Sequence, residues 1–395
     1  MKTGWVTKRL GDLGEIVRGK GIRRSETVAK GKPCLRYGEI YTNFNYVLDA
    51  PCSFVPEQIY HECPHIKYGD VVFSLTGENK EEIAKALAYL GEDEVAAGGD
   101  LAIWTNHGCD AKFLAYMMYA PEMIAAKAHA SNGDIIVHAS VKKMQQIEIP
   151  VPPLAEQKRI VAKIDAAFEK IDKLKANAER NLKNAKELFQ SALNEAMRPK
   201  PGWVEKRLGE IYDVRDGTHD SPKFIADGYP LVTSKNLKNG EIRMDDVKFI
   251  SRTDYEAINL RSKVDVGDVL MAMIGTIGNP VVVEKEPCFA IKNVALFKVR
   301  NGQNPRFLRY VLLTSAVVDK MNFDASGSNQ HFVGLKYLRG MVLYFADIDE
   351  QRRIVNFLDS LSEKVKSLEH NYTRLIADCA EMRQAVLKEA FEGRL

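Results

Sequence analysis

The amino-terminal part of the chain has a cluster of basic residues followed by aromatic and polar ones. The basic residues occur within twenty positions: Arg18, Lys20, Arg23, Arg24, Lys30, Lys32 and Arg36. The residues that follow are Tyr37, Glu39, Tyr41, Asn43 and Asn45. Cationic side chains bind phosphates, and amide and carboxylate groups can hydrogen-bond the edges of bases. This combination could bind a nucleic acid, although a charge run is more often only a solvated face.

A second stretch has similar residue types with a different set of hydrogen-bonding groups. It reads RDGTHDSPK at 215–223 and TSKNLK at 233–238. Two polar loops, at 131–134 and 326–331, come later in the two halves of the chain. The candidate nucleic-acid contacts are Arg23, Arg24, Lys32, Arg36, Tyr37, Asn132, Thr218, His219, Lys223, Thr233, Ser234, Lys235, Asn236, Ser328, Asn329 and Gln330.

Sequence signatures of catalysis are missing. An amino-methyltransferase that uses S-adenosylmethionine needs a glycine-rich turn and an Asn/Asp-Pro-Pro-aromatic loop. The nearest match, Gly278-Asn279-Pro280-Val281, lacks the second proline and the aromatic residue. There is no GxxxxGK[ST] loop for nucleotide phosphates, and no local signature pairs a nucleophile with a base. We therefore predict that the chain is not an enzyme by itself.

Possible metal ligands occur in His61-Glu62-Cys63-Pro64-His65. On a β-strand the two histidines and the cysteine would share a face, but a metal site would need a fourth ligand. The triplet Asp246-Val247-Lys248 has the spacing of half a metal-nuclease motif, which occurs often by chance. We interpret the first segment as a half-exposed loop and expect no metal in this chain.

The elements that position these residues occur twice. Trp5-Val6-Thr7-Lys8-Arg9-Leu10-Gly11 returns as Trp203-Val204-Glu205-Lys206-Arg207-Leu208-Gly209, and AEQKRIV at 155–161 returns as DEQRRIV at 349–355. The first pair is 198 positions apart and the second 194, so the regions between them differ in length. An internal period of this kind indicates a repeat architecture. Each repeat has β-rich runs, such as 70–75 and 268–273, and ends in a long helical segment.

The two helical segments have the apolar pattern of a coiled coil. The segment 154–197 has no internal Gly or Pro, and in both segments apolar residues recur at steps of three and four. We predict an α+β protein with two pseudo-symmetric mixed α/β domains, joined by two long helices that pack as an antiparallel coiled coil. The predicted divisions are 1–150, 154–197, 202–346 and 349–391. The predicted helix residues at the core or docking face are Gln157, Ile160, Ile164, Ile171, Leu174, Gln351, Ile354, Leu358, Leu361 and Leu368.

Composition sets wider bounds. The formal net charge is only +3, so a nucleic-acid surface would have to be a local concentration of cations. Six cysteines without CxxC spacing argue against a disulfide framework. No run of about 18 apolar residues and no signal peptide are present, so we expect a cytoplasmic protein that does not bind a membrane.

The order and duplication of these motifs resemble the specificity (S) subunit of type I restriction-modification systems over essentially the whole chain. The residues that carry the resemblance are the two Trp-Val-x-Lys-Arg-Leu-Gly starts, PPLAEQKRIV at 152–161, DIDEQRRIV at 347–355 and LKEAFEGRL at 387–395. The second helix start lacks the proline pair of the first, which leaves that boundary less sharp.

The resemblance implies that each β-rich segment is a target recognition domain that reads one half of a split DNA sequence. The helices would form the spacer and dock two modification (M) subunits, which would bring S-adenosylmethionine. Restriction (R) subunits that use ATP and Mg would complete a nuclease, and this chain would hold no cofactor. Because the loops differ while the frame repeats, the two half-sites should differ in sequence.

Two alternatives remain open at this stage. A tandem-domain coiled-coil adaptor that binds proteins would have the same helices and no DNA role. A system that methylates without restricting would have the same S subunit.

Overall fold

The computed structural model of the chain describes residues 4–300, 302–325 and 332–395. It divides into two compact units. Unit 1 comprises Met1–Glu179 with Thr373–Leu395, and unit 2 comprises Arg180–Tyr372. Each unit therefore contains one β-rich head and parts of both long helices. The domain boundaries at 150 and 346 stay predictions.

Unit 1 contains the first head. Its strands are β1 (Val6–Arg9), β2 (Glu15–Arg18), β3 (Lys32–Leu35), β4 (Tyr46–Leu48), β5 (Ser53–Val55), β6 (His65–Ile66), β7 (Val71–Ser74), β8 (Thr76–Gly77), β9 (Ala86–Tyr89), β10 (Val95–Ala97), β11 (Leu101–Thr105), β12 (Ser131–Asn132), β13 (Val137–Ala139) and β14 (Glu148–Val151). Its helices are α1 (Tyr37–Thr42), α2 (Glu57–Glu62), α3 (Ala111–Met117), α4 (Pro121–His129), α5 (Val141–Met144) and the first part of α6 (Leu154–Ala196), with 3-10 turns at Leu10–Asp12 and Arg24–Glu26.

Unit 2 contains the second head. Its strands are β15 (Val204–Arg207), β16 (Asp213–Asp216), β17 (Phe224–Ile225), β18 (Tyr229–Thr233), β19 (Leu237–Lys238), β20 (Glu241–Ile242), β21 (Lys248–Ile250), β22 (Val269–Ala272), β23 (Gly278–Val282), β24 (Ala290–Lys292), β25 (Val294–Lys298) and β26 (Val342–Phe345). Its helices are α7 (Leu208–Ile211), α8 (Arg252–Ser262), α9 (Pro305–Leu313), α10 (Ser315–Ala325), α11 (Leu335–Gly340) and the first part of α12 (Ile348–Phe391), with a 3-10 turn at Ser234–Asn236.

The sheets of the two heads follow one plan. Head 1 has sheets of order β2-β11-β7-β9-β4 and β5-β3-β10-β6, and head 2 has sheets of order β16-β25-β22-β23 and β17-β21-β18-β24. In both heads the first strand pairs antiparallel with the strand before the long helix, β1 with β14 and β15 with β26. The repeated sequence starts are thus paired with the repeated helix starts, which explains why both are retained in the sequence.

The β-rich runs that the sequence marks as repeat partners are central strands covered on both faces. Val71 and Phe73 face a core that includes α3 and α6, whereas Val72 faces a second core behind the sheet. Val269 and Leu270 divide between two cores in the same way. Continuous burial of this kind requires a run of apolar residues without polar alternation.

The glycine that ends each repeated Lys-Arg-Leu-Gly motif allows two secondary-structure elements to pack closely. A Cβ on Gly11 would lie 3.0 Å from the Cβ of Gln145, and a Cβ on Gly209 would lie 3.0 Å from the Cβ of Arg339. Gln145 follows α5, and Arg339 lies in the corresponding helix α11. The Lys-Arg-Leu-Gly motif therefore has a packing role in both units.

The long helices run antiparallel in unit 1. Arg383 of α12 forms an ion pair with Asp172 of α6, and Arg159 donates a hydrogen bond to the carbonyl of Leu395 at 2.8 Å. Residue numbers rise along one helix as they fall along the other. Cys379, Leu387, Ala390 and Phe391 of α12 share a buried core with Ile160, Ile164, Phe168 and Ile171 of α6.

Unit 2 has the same helix arrangement. Leu193 and Met197 share a core with Ile354 and Leu358. Beyond the end of α6, Lys200 pairs with Glu350 near the start of α12 at 3.4 Å. These contacts, with those of unit 1, confirm the predicted fold class of mixed α/β heads and antiparallel helices.

The buried face of the helices differs from the predicted seam at several positions. Leu174 and Leu368 are 37% and 40% exposed, although both were expected at the core or docking face. Phe168, which is not among the predicted helix residues, is buried. Ala178 and Ala185, further along the same apolar pattern of α6, are still buried. The exposure of Leu174 is therefore a local departure from the pattern.

Each head is fixed to its long helix by the same polar contact. In unit 1, Asp165 of α6 accepts hydrogen bonds from Tyr116 at 2.5 Å and Lys112 at 2.6 Å. In unit 2, Asp359 of α12 accepts from Tyr310 at 2.6 Å and Arg306 at 2.7 Å. Burial and the neighbouring carboxylates raise the pKa of both tyrosines, which stay protonated donors.

None of the helices in the described part of the chain has the length and apolar character that crossing a membrane requires.

Candidate nucleic-acid interface

The ends of two parallel strands bring three chain segments together in head 1. Strand β3 pairs parallel with β10, with Leu35 opposite Ala97. The residues that follow, Arg36-Tyr37 and Gly98-Gly99, therefore lie side by side. Lys20 joins them because its backbone amide donates to the carbonyl of Ala97 at 3.1 Å. We call this surface, formed by residues 20–21, 36–37 and 98–99, the first rim.

The corresponding strands build the same surface in head 2. Strand β18 pairs parallel with β24, with Val232 opposite Ile291. The amide of Thr218 donates to the carbonyl of Ile291 at 3.0 Å, as Lys20 does in head 1. We call residues 218–219, 233–235 and 292–293 the second rim. The structure thus brings together predicted contacts from two separate stretches of the sequence: Thr218, His219, Thr233, Ser234 and Lys235.

A buried side chain caps the short helical turn of each rim. In head 1 the carboxylate of Glu39 accepts from the backbone amide of Arg36 at 2.8 Å and from its guanidinium at 3.2 Å. In head 2 the amide oxygen of Asn236 accepts from the backbone amide and the hydroxyl of Thr233, both at 2.9 Å. Asn236 is only 5% exposed and also donates to two carbonyls. It therefore positions the turn and, contrary to the sequence interpretation, has no amide group left for a base.

The predicted phosphate contacts of head 1 differ in their charge environment. Lys32 lies 3.7 Å from the carboxylate of Glu57, and Arg36 is held by buried Glu39, so both charges are partly neutralised. Arg23 and Arg24 sit at a 3-10 turn with exposed side chains, and neither has an ion-pair partner among the described residues. Arg23 and Arg24 are thus the stronger candidates for contacts to phosphates.

Asn132 lies on a small sheet of strands β12, β13 and β8 that is linked to the first rim. It pairs across the sheet with His138, whose Nδ1 lies 3.2 Å from the Thr76 hydroxyl. That hydroxyl also lies 3.2 Å from the carboxylate of Asp100, the residue after Gly99. The ammonium of Lys143 donates to the amide oxygen of Asn132 at 3.3 Å. A series of neighbouring residues therefore links Asn132 to Gly99 of the first rim.

Head 2 surrounds its rim with exposed cations. Lys223 and Lys235 are exposed and have no ion-pair partner among the described residues. The Lys292 ammonium donates to the hydroxyl of Ser221 at 2.5 Å. The predicted contacts Ser328, Asn329 and Gln330 lie outside the described residues.

Two functional candidates of head 2 were missed in the sequence. Asp216 is 4% exposed and binds both His219 and Arg261, and Asn293 contacts the other two segments of the second rim. Alignment of the two repeats could have identified Asn293, because it lies 194 positions after Gly99, its counterpart in head 1.

The possible metal ligands at 61–65 do not share a strand. Pro56 precedes helix α2, which includes His61, and Cys63 follows its last residue. His65 lies on β6, stacks on Tyr60 and pairs with Glu94 at 3.3 Å. The alternation that a strand would give is therefore absent, because α2 interrupts it.

The predicted helix residues divide into two sets. Gln157 and Gln351 are buried, and each donates to the carbonyl five residues before it, in Pro152 and Ala346. The residues buried within their own unit are Ile160, Ile164, Ile171, Ile354 and Leu358. Leu361 is half-buried, and Leu174 and Leu368 are exposed. The half-buried and exposed members of the set, Leu361, Leu174 and Leu368, have surface available to another chain.

Comparison with known proteins agrees with this architecture. The family model for the type I restriction modification DNA specificity domain matches residues 2–184 and 200–375. The specificity subunit of the type I restriction enzyme EcoKI from Escherichia coli (strain K12) is 22% identical, over 99% of this chain and 89% of that protein.

Two solved structures share the fold. A chain from a type I R-M system superposes with a TM-score of 0.77 at 21% identity, over 100% of this chain and 99% of that one. The HsdS subunit from Thermoanaerobacter tengcongensis superposes with a TM-score of 0.63 at 20% identity, over 100% of this chain and 98% of that one.

Two recognition heads on paired long helices define a DNA specificity protein. This chain belongs to the type I restriction modification DNA specificity domain family, of which it carries two copies. It is a non-catalytic, sequence-specific DNA recognition subunit.

Proposed function

We propose that the two heads read the two halves of a split, asymmetric DNA site. The observation that supports this most directly is the pair of rims. The same strand ends build the same surface twice, yet its side chains are Arg36 and Tyr37 in head 1 and Thr233 and Ser234 in head 2. Different donors and acceptors on one frame select different bases.

The contacts divide by role. Exposed cations such as Arg23, Arg24, Lys223 and Lys235 would bind phosphates and supply affinity that falls with salt. Side chains of the rims would discriminate bases, at roughly 1–3 kcal/mol for a good bidentate contact. The unread gap between the half-sites would be set by the length of the helices.

The partners follow from the family to which the chain belongs. Two modification subunits would bind the helices and bring S-adenosylmethionine, and restriction subunits would bring ATP and Mg. The exposed apolar side chains Leu174, Leu188, Phe357 and Leu368 offer the helix surface for such docking, since they are 37–56% exposed. Apolar side chains in contiguous exposed patches often mark protein interfaces.

Methylation mapping tests the proposal. The chain is expressed with its modification subunits, and methylated adenines are mapped across a genome. We expect a motif of two specified parts separated by unspecified bases. A continuous motif, or methylation that does not require this chain, would contradict the proposal.

An exchange of heads tests the assignment of one head to one half-site. Residues 203–344 are replaced by the same segment of a relative with a different motif. We expect one half of the motif to change and the other to stay. A change in both halves, or in neither, would show that the heads do not read separately.

Salt dependence separates this proposal from a protein-binding adaptor. Substitution of both Arg23 and Arg24 by Ala should weaken binding to all DNA sequences and make the slope of log affinity against log salt shallower by about 2. The matched control is Lys32→Ala, whose charge is already paired with Glu57 and which should have a smaller effect. An adaptor without a DNA role would show no dependence on any of these residues.

A further inference from the structure

The same two positions touch in both rims, with different residues. In head 1 they are Gly21 and Gly99, and a Cβ added to Gly99 would lie 2.9 Å from the Cα of Gly21. In head 2 the corresponding residues are His219 and Asn293, whose Nδ1 and Oδ1 atoms lie 2.9 Å apart. Head 1 has no room for a side chain at position 99, whereas head 2 carries a polar pair at the same place.

Asn293 is held from several sides. Its backbone carbonyl accepts from the Ser234 hydroxyl at 3.0 Å, and its backbone amide donates to the carbonyl of Thr218 at 3.2 Å. Its φ angle is +54°, which Asn tolerates better than most residues with a side chain. The residue thus ties together the three segments of the second rim.

His219 fixes the direction of the Asn293 amide. Its Nε2 lies 2.8 Å from the carboxylate of Asp216, which is buried and also binds Arg261. Because both ring nitrogens of His219 face oxygen atoms, a ring protonated at both nitrogens donates from Nε2 to the Asp216 carboxylate and from Nδ1 to Oδ1 of Asn293. The Nδ2 group of Asn293 makes no hydrogen bond to another described residue, and Asn293 is half-buried at the surface of the rim.

We propose that Asn293 is a specificity-determining residue of head 2, whose free Nδ2 donates a hydrogen bond to a base acceptor in the DNA major groove, and that His219 is its positioning residue. Purine N7, guanine O6 and thymine O4 are the acceptors available there. A preorganised side chain discriminates better than a free one, because its supporting contacts fix its geometry. Head 1 offers only backbone at this place, so its half-site is read by other groups. This inference rests on the proposed function.

Three variants of the full chain, in complex with its modification subunits, separate the roles. Asn293→Gly removes the side chain at a φ angle that glycine adopts freely. Asn293→Asp keeps an oxygen for His219 but loses the donor. His219→Gly removes the positioning contact. The matched control is Asn106→Gly, which makes the same change at a φ of +55° on an exposed residue of head 1. Asn106 follows the end of β11 that is farther from the first rim.

The readout is relative affinity for a DNA library randomised in both half-sites, with thermal unfolding measured for each variant. We expect both Asn293 variants to lose preference at one base pair of the head 2 half-site by roughly tenfold or more. His219→Gly should cause a smaller loss at the same base pair, and the double Gly variant should match Asn293→Gly alone. The head 1 half-site and the Asn106→Gly control should be unchanged.

Other results overturn the inference. If Asn293→Gly keeps the full base preference, or weakens all sequences equally, Asn293 does not read a base. If only Asn293→Gly loses preference while Asn293→Asp keeps it, the amide donor is not the reading group. Should one variant fail to fold, the other two still decide. Absence of sequence-specific binding by the unmodified complex would instead refute the proposed function.

Discussion

Lys127 is a buried cation in head 1 whose replacement should stabilise the protein. It lies in α4, is 2% exposed, and its ammonium donates to the carbonyl of Ala84 at 3.2 Å. Among the described residues no carboxylate pairs with it. Burial lowers the pKa of Lys127 to about 7. The corresponding residue of unit 2 is Met321, which is fully buried. The substitution Lys127→Met therefore introduces a side chain that the repeat already carries at this position.

The size of the effect follows from the pKa. The ordinary pKa of the side chain is 10.5, so between about 7 and 10.5 the unfolded chain binds a proton that the folded chain does not. The free energy of unfolding of the unmodified protein therefore rises with pH through this window. Below the window, the cost of burying the charged ammonium is at its maximum and no longer changes with pH. A difference of about 3.5 pKa units corresponds to about 5 kcal/mol at pH 6 and about 1 kcal/mol at pH 10. Loss of the hydrogen bond to Ala84 offsets about 1–2 kcal/mol of this.

We expect Lys127→Met to stabilise unit 1 by about 3 kcal/mol at pH 6 and to have little effect at pH 10. The measurement is urea unfolding of the full chain between pH 6 and 10, followed by hydrogen exchange of the amides of unit 1. Lys142→Met is the control, because Lys142 is exposed in the same unit and its removal should change stability by less than about 0.5 kcal/mol.

The test depends on how the stabilisation by Lys127→Met changes with pH. A stabilisation of equal size at pH 6 and pH 10 would mean that Lys127 is not forced to lose its proton in the folded chain. A destabilisation at every pH would mean that the bond to Ala84 outweighs the burial of the charge.

Other predictions concern the frame shared by both units. Asp359→Asn should destabilise unit 2 by about 1–3 kcal/mol, because it weakens charge-assisted bonds from Tyr310 and Arg306; thermal unfolding measures this, and a change below 0.5 kcal/mol would contradict it. Gly11→Ala should destabilise unit 1 by about 1–3 kcal/mol, because its Cβ would press on Gln145 at 3.0 Å. The control Gly38→Ala, where a Cβ meets nothing within 4 Å, should be nearly neutral in the same unfolding assay.

Much of the fold was predictable because the sequence carries it in local patterns. Apolar residues at steps of three and four, without Gly or Pro, specify a long helix wherever they occur. The runs 70–75 and 268–273 specify buried strands for the same local reason. Phe168, Leu174 and Leu368 were placed less well, since the covered side of a helix depends on the elements that pack against it, and Phe168 packs on Tyr46 and Tyr116 of head 1.

The candidate site was predictable only in part. Exposed cations such as Arg23 and Lys223 are visible in a sequence, since their charge identifies them. The role of Asn236 was not visible, because the same residue type can read a base or cap a turn. Asn293 was missed because it is a single polar residue between two buried strands, with no local pattern around it.

The sequence by itself determined that this protein has two copies of one frame, long helices at the end of each, and polar segments that differ between the copies. Those properties depend on residues close to one another in the chain. Only the tertiary structure decided that Gly21 meets Gly99 while His219 meets Asn293. Such contacts join residues more than seventy positions apart. They arise from the parallel pairing of β3 with β10 and of β18 with β24, and strand pairing is set by the packing of the whole head.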